Sequence, residues 1–119
     1  MTAGARDILV VDDNPADVRL IREVLTQHHA AHRLHTALDG AAALRFLCSE
    51  RADLVLLDLN LPGIGGHDLL SLIRALPRAG TVPVVVFSSS DAPEDIERAY
   101  QNRANSYLTK PGLRDRTHP

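Results

Sequence analysis

Short apolar runs alternate five times with segments of helical period along this chain, and that alternation limits the fold more than any other feature. Strands separated by helices are joined by crossovers, lie parallel, and carry helices on both faces of one sheet. The first strand is expected over Asp7 to Asp12 and the second over roughly Arg33 to Ala37. The third lies in Asp53-Leu54-Val55-Leu56-Leu57-Asp58, the fourth in Val84-Val85-Val86-Phe87 and the last in Ser106 to Thr109. The unbroken apolar run of the fourth predicts burial on both faces. Between the strands, Pro15 suits the first turn of a helix whose Val18, Ile21 and Leu25 form one stripe up to His28-His29. Asp39-Gly40 reads as a turn before an alanine-rich helix with Leu44 and Leu47 facing inward. Gly63, Gly65 and Gly66 break the chain ahead of a helix carrying Leu69, Ile73 and Leu76, which stops before Pro77. Asp91 and Glu94 read as a capping box, Pro93 as a first-turn residue, and Ile96, Ala99 and Tyr100 as the inward stripe of a fourth helix.

A chain of 119 residues, 45% hydrophobic and 24% charged, is enough for one core and too short for two, so it is expected to be a single soluble domain. Its net charge of -2 offers no bulk attraction to nucleic acid or an anionic membrane. No apolar stretch reaches the roughly 20 residues that cross a bilayer, and the N-terminus has no signal-peptide hydrophobic region, so the expected location is cytoplasmic. Cys48 is the only cysteine, which rules out an internal disulfide or a cysteine metal cage; near a helix end it reads as buried filler.

In open parallel sheets, ligands sit outside the carboxyl ends of the strands. Asp12, Asp13, Asp58, Ser88 and Lys110 all fall at such ends. Unrelated core packing would not place polar residues at matching ends of four strands. Crowded carboxylates repel one another, and a hard divalent cation with oxygen ligands relieves the repulsion, Mg²⁺ being the natural choice. Asp12, Asp13, Asp58 and the backbone carbonyl of Asn60 would hold it. The plainer alternative, that Asp12 and Asp13 cap the helix at Asn14-Pro15, needs only one acid. Asp58 reads as a carboxylate nucleophile toward phosphorus, with Lys110 and the Ser88 hydroxyl each meeting a phosphoryl oxygen.

These residues meet a known pattern. Val10-Val11-Asp12-Asp13-Asn14-Pro15, Leu56-Leu57-Asp58-Leu59-Asn60-Leu61-Pro62-Gly63, Ser88 after a valine-rich strand, and Tyr107-Leu108-Thr109-Lys110-Pro111 resemble the receiver domain of two-component response regulators over residues 7–111. The resemblance implies a doubly wound α/β fold with strand order 2-1-3-4-5. It implies phosphorylation of Asp58 by a sensor histidine kinase or phosphotransfer protein with Mg²⁺ bound, in a signalling protein rather than an enzyme. It further implies a switch in which Ser88 moves toward the phosphoryl group and Tyr107 turns inward, and tuning of acyl-phosphate lifetime at Asn60 and Ser90. Pro15-Ala16-Asp17-Val18-Arg19-Leu20-Ile21 and Ser89-Ser90-Asp91-Ala92-Pro93-Glu94-Asp95-Ile96 are most similar to stand-alone regulators that accompany bacterial phytochromes.

Other features depart from that pattern or compete with it. His28, His29, His32 and His35 read as a solvated cluster, because a helix-to-strand break spoils metal-ligand spacing. His67 reads as a surface residue near the site. Arg103 stands where the family has glycine, so a left-handed backbone there would be strained. The segment 112–119 carries one large apolar residue where the family closes with an amphipathic helix, so the final helix is expected to be missing. Losing about three buried aliphatic side chains would cost ~5–9 kcal/mol, against a total stability of about 5–15 kcal/mol. A second copy, forming a homodimer, or another partner is expected to cover the exposed face, or else the ending reflects truncation or an altered reading frame. The rival reading is a phosphorylation-independent interaction or dimerisation module. A phosphatase of the strand-end-aspartate class would need an acid at position 60, which is Asn.

Overall fold

The computed structural model describes residues 5–27 and 31–111. Within them β1 (Arg6–Val11), β2 (His32–Ala37), β3 (Leu54–Leu57), β4 (Val84–Ser88) and β5 (Ser106–Thr109) alternate with α1 (Pro15–Gln27), α2 (Gly40–Ser49), α3 (Gly66–Arg74) and α4 (Pro93–Gln101). All neighbouring strands pair in parallel, in the order β2-β1-β3-β4-β5 that the resemblance implied. Because chain order reverses at β1, the crevice beside the carboxyl ends of β1 and β3 is the natural ligand position.

The period of two along each strand divides the core. Leu9, Val11, Val55, Leu57, Val84 and Val86 face one side and are buried with Ala43, Leu47, Leu69, Leu70, Ile73 and Ala99 of α2, α3 and α4. Ile8 and Val10 face the other side, where Val18, Ile21 and Leu25 of α1 cover them, which accounts for the predicted stripe. Burial on both faces of β4 is not what the structure shows. Val84, Val86 and Ser88 are buried while Val85 and Phe87 are only partly so, and Leu108 beside Phe87 is 53% exposed. Among the described residues α1 is the only helix on that side, and the core it forms includes Phe87 only as a partly buried neighbour.

Local corrections follow from the helix ends. Asp39 is the N-cap of α2, its side chain accepting from the Ala42 amide at 2.8 Å, so no separate turn precedes the helix. Ala92, not Asp91, caps α4, without a side-chain cap hydrogen bond, and Pro93 enters its first turn as expected. Ala99 is buried, but Tyr100 is 49% exposed and is not part of an inward stripe. Cys48 is exposed, contrary to the expected buried filler. On a helix, positions 41, 45 and 48 share a face, and Arg45 already marks that face as outward. Leu76 lies beyond the end of α3 yet still packs on the core. Arg103 takes the left-handed conformation with φ 68°. Arg74 holds that turn through bonds from Nε and Nη2 to the Arg103 carbonyl (3.1 and 2.8 Å) and reaches Val82 (2.6 Å), Gly80 (3.2 Å) and Asn105 (3.0 Å).

Candidate active site

Asp12, Asp58 and Lys110 sit one step past a strand, Asp13 two steps past, and Ser88 at a strand's last position. The Asp12 amide donates to the Ala37 carbonyl and the Asp58 amide to that of Val11, both at 3.0 Å, so the ladder holds both residues. The Lys110 amide likewise donates to the Ser88 carbonyl at 2.7 Å. Asp12, Asp58 and Ser88 are the buried polar residues of the described chain. Ligand oxygens of Asp12, Asp13 and Asp58 lie within 4.8 Å of one another, with Asp13 exposed and the other two buried. Hard carboxylate oxygens grouped this closely fit a divalent cation such as Mg²⁺.

Lys110 extends into this cluster. Its Nζ lies 2.9 Å from Asp12, 3.2 Å from Asp58 and 2.6 Å from Asp17, with 5.6 Å to the Phe87 ring centroid. Burial by itself would lower its pKa, but the hydrogen bonds it donates to Asp17 and Asp12 and the charges of Asp58 and Asp12 outweigh it, so the ammonium is held charged. Burial pushes Asp12 the other way, above the ordinary carboxylate value, against the opposing Asn14 amide and Lys110. Capping of α1 falls to Asn14, whose side chain accepts from Ala16 at 2.9 Å. Asp12 accepts from the Asn14 amide at 2.9 Å and Asp58 from the Asn60 amide at 3.2 Å, bonds that fix both carboxylates.

Gly66 explains how α3 comes so near. Its amide donates to the Leu59 carbonyl at 3.0 Å, and a Cβ there would lie 2.5 Å from the Asp58 carbonyl oxygen. Gly63 takes φ 74°, a left-handed turn that glycine adopts without strain.

Ser88 and Tyr107 meet on Ser90, one step out from the carboxylates. Ser88 Oγ accepts from the Ser90 amide at 3.1 Å, and the Tyr107 hydroxyl donates to the Ser90 carbonyl at 2.7 Å. Asp17 joins the cluster through Lys110, and its place as a first-turn acid of a helix leaving a strand's carboxyl end is legible in the sequence. The histidines are not simply solvated. His35 Nε2 lies 3.0 Å from Asp7, which also pairs with Arg33 at 2.8 Å, and the His35 ring is 4.9 Å from that of Phe46. His32 Nδ1 is buried without a hydrogen-bond partner, and His28 and His29 lie outside the described residues. His67 is only 12% exposed and pairs with Asp95 at 3.1 Å, correcting its expected surface position.

An α/β sheet with paired acids after β1, a buried aspartate after β3, a hydroxyl at the end of β4 and a lysine after β5 defines a receiver-type site. The family model for the response regulator receiver domain matches residues 8–118, and the chain belongs to that family. Response regulator Rcp1 of Synechocystis is 41% identical over 110 residues, covering 87% of this chain and 75% of that protein. The phosphorylated cyanobacterial phytochrome response regulator RcpA superimposes with a TM-score of 0.86 at 39% identity, over 92% of this chain and 83% of that one. The Mn²⁺-bound form of Rcp1 gives a TM-score of 0.84 at 39% identity, over 92% and 85% of the two chains. No helix among the described residues is long and apolar enough to cross a membrane.

Proposed function

We propose that Asp58 accepts a phosphoryl group from a sensor histidine kinase or phosphotransfer protein, and that the chain signals by altering a protein-interaction face. The observation that carries this reading is the buried Asp58 carboxylate at the end of β3, beside a lysine and two further acids. Asp12, Asp13 and Asp58, with the backbone carbonyl of Asn60, would hold Mg²⁺. When bound, it would supply positive charge that lowers the repulsion between carboxylate and phosphoryl oxygens. Asp58 attacks phosphorus and the bond to the donor's histidine nitrogen breaks, leaving an acyl phosphate. Lys110, already near Asp58, exchanges a carboxylate contact for a phosphoryl oxygen, and the Ser88 hydroxyl donates to another.

Ser88 and Tyr107 are the switch. Movement of Ser88 is felt at Ser90, whose carbonyl holds the Tyr107 hydroxyl, so the end of β4 and the face of α4 and β5 respond together. The likeness to Rcp1 and RcpA supports a phytochrome-linked response regulator; on this reading it is a stand-alone signalling protein of one domain over residues 1–119, working in the cytoplasm and itself no enzyme. Exposed Leu108 and partly buried Val85 and Phe87 favour a homodimer or other partner on that face of the sheet. Incubation with Mg²⁺ and acetyl phosphate should add one phosphoryl mass to the wild type and none to Asp58→Asn. Uptake that survives the substitution defeats the Asp58 assignment, and no uptake at all favours the phosphorylation-independent module.

A further inference from the structure

A chain of hydrogen bonds runs from α3 through α4 to the loop after β4. His67 Nε2 meets Asp95 Oδ1 at 3.1 Å, and Asp95 Oδ2 accepts from the Ser90 hydroxyl at 2.6 Å. The same Ser90 Oγ accepts from the Ala92 amide at 3.2 Å, so its proton is directed at Asp95. The Ser90 amide donates to Ser88 Oγ, and the Ser90 carbonyl accepts from Tyr107, which leaves no polar atom of Ser90 unengaged. The other end is equally fixed. His67 follows Gly66, whose amide is bonded to the carbonyl of Leu59, the residue after Asp58. The chain therefore closes a ring from Asp58 to Ser88 outside the sheet, while β3 and β4 close it inside by pairing Leu57 with Val86.

We propose that His67 and Asp95 are positioning residues for phosphoryl transfer, clamping Ser90 so that the Ser88 hydroxyl is set against Asp58 before the donor arrives. This rests on the reading of Asp58 as the phosphoacceptor. The Ser90 amide takes up acceptor capacity on Ser88 Oγ, and the single hydroxyl proton remains for a phosphoryl oxygen. A carboxylate facing Nε2 puts a proton on that nitrogen, and the buried Nδ1 has no hydrogen-bond partner, so the ring's bonding is spent on Asp95. The Ser90 hydroxyl first and His67 second hold the Asp95 carboxyl below its ordinary value, which keeps it an acceptor toward both. Arg98 donates to Asp68 at 3.4 Å and acts on Asp95 only through its charge, so the hydrogen bonds of the clamp do not include it.

The test uses Asp95→Ala, His67→Ala and His67→Gln in the full chain. Two readouts are followed: hydrogen exchange at the Ser90 amide, and the initial rate of phosphorylation by acetyl phosphate at saturating Mg²⁺. Losing the His67–Asp95 bond in His67→Ala, or that bond and the Ser90–Asp95 bond in Asp95→Ala, should speed Ser90 exchange by at least about tenfold and slow phosphorylation by at least about fivefold. His67→Gln keeps an N–H donor and should recover most of both losses. Mg²⁺ affinity should stay within about twofold throughout, since none of its carboxylates is touched. If His67→Ala does not fold, Asp95→Ala carries the test, its side chain being 37% exposed. An unmoved Ser90 amide or an unmoved rate in Asp95→Ala overturns the clamp alone. A wild type that takes up no phosphoryl group overturns the reading of Asp58, and the clamp's role with it.

Discussion

Gly66→Ala tests whether the approach of α3 to Asp58 is as close as it must be. A Cβ at residue 66 would lie 2.5 Å from both the Asp58 carbonyl oxygen and the Leu59 Cα, where ordinary contact begins at 3.4 Å. Both neighbours are backbone, so no rotamer change relieves the clash. The start of α3 and the segment after β3 must separate by roughly 0.9 Å, which also weakens the packing around them. Overpacking of this kind costs about 1–3 kcal/mol. Alanine's helix preference offsets at most about 1 kcal/mol, and less here because residue 66 opens the helix. A net loss of about 1–2 kcal/mol corresponds to a fall in Tm of about 4–8 °C for a domain of this size. The functional loss should be larger, because a displacement near 1 Å beside a reacting group costs up to about a hundredfold in rate. Gly65→Ala is the matched control, since its φ is -67° and an added Cβ meets nothing within 4 Å. Urea unfolding at constant m-value reads the stability, and acetyl phosphate uptake reads the rate. If Gly66→Ala matches Gly65→Ala in both, the close approach is unimportant and the reasoning fails.

Lys110→Met strands Asp12 and Asp58 as buried carboxylates, so without Mg²⁺ the chain should lose about 3–5 kcal/mol. Added Mg²⁺ should recover most of that loss in urea titrations, and a deficit that ignores the metal would refute the shared charge role. Asp13→Asn, at an exposed position, should shift stability by under about 0.5 kcal/mol. Calorimetry should nevertheless find Mg²⁺ affinity weakened by at least about tenfold, as expected for a lost carboxylate ligand; unchanged affinity would remove Asp13 from the ligand set. Asp7→Asn tests the cluster at the other end of β1. The hydrogen bonds of Arg33 first and His35 next hold the Asp7 carboxyl well below its ordinary 3.8. The stabilisation from that pairing is complete above pH 3.8 and disappears as pH falls through the lower folded value. The stability gap between wild type and variant should thus be level near neutral pH and close in acid; a gap that widened in acid would reverse the sign.

The strands were readable because the parallel sheet is built from apolar runs such as Ile8-Leu9-Val10-Val11 and Val84-Val85-Val86-Phe87, although such a run does not say how far each face is covered. The position of the candidate site was readable for a related reason: polar residues in a buried sheet are tolerated only where the strands end, and Asp12, Asp58 and Ser88 stand there. Tyr100 was misread because helical spacing marks a face without saying how much of it the neighbour covers; α4 buries Ala99 and leaves the ring out. No spacing rule joins His67 to Asp95 or Arg74 to Arg103, partners 28 and 29 residues apart that the meeting of loops and helix ends brings together. Exposure of Cys48 was legible in principle, from the face it shares with Arg45.

One lysine ties the carboxylate cluster to the end of β5, and the charges around it say what that tie must balance. Asp12, Asp17 and Asp58 share the Lys110 ammonium, and Asp13 adds a further carboxylate, so the fully ionised cluster carries a surplus of three negative charges. An anionic phosphoryl donor approaches against that surplus. It can be relieved by a proton on Asp12, whose pKa burial has already raised, or by a divalent cation. The two compete for the same carboxylate, so cation binding is linked to proton release. Lys110 follows β5 directly, and its amide is bonded to Ser88. Any change in charge at Asp58 that draws Nζ away from Asp12 or Asp17 therefore acts on the strand end that carries Tyr107. On the proposed switch, compensation of charge at the site and displacement of β5 would be one event.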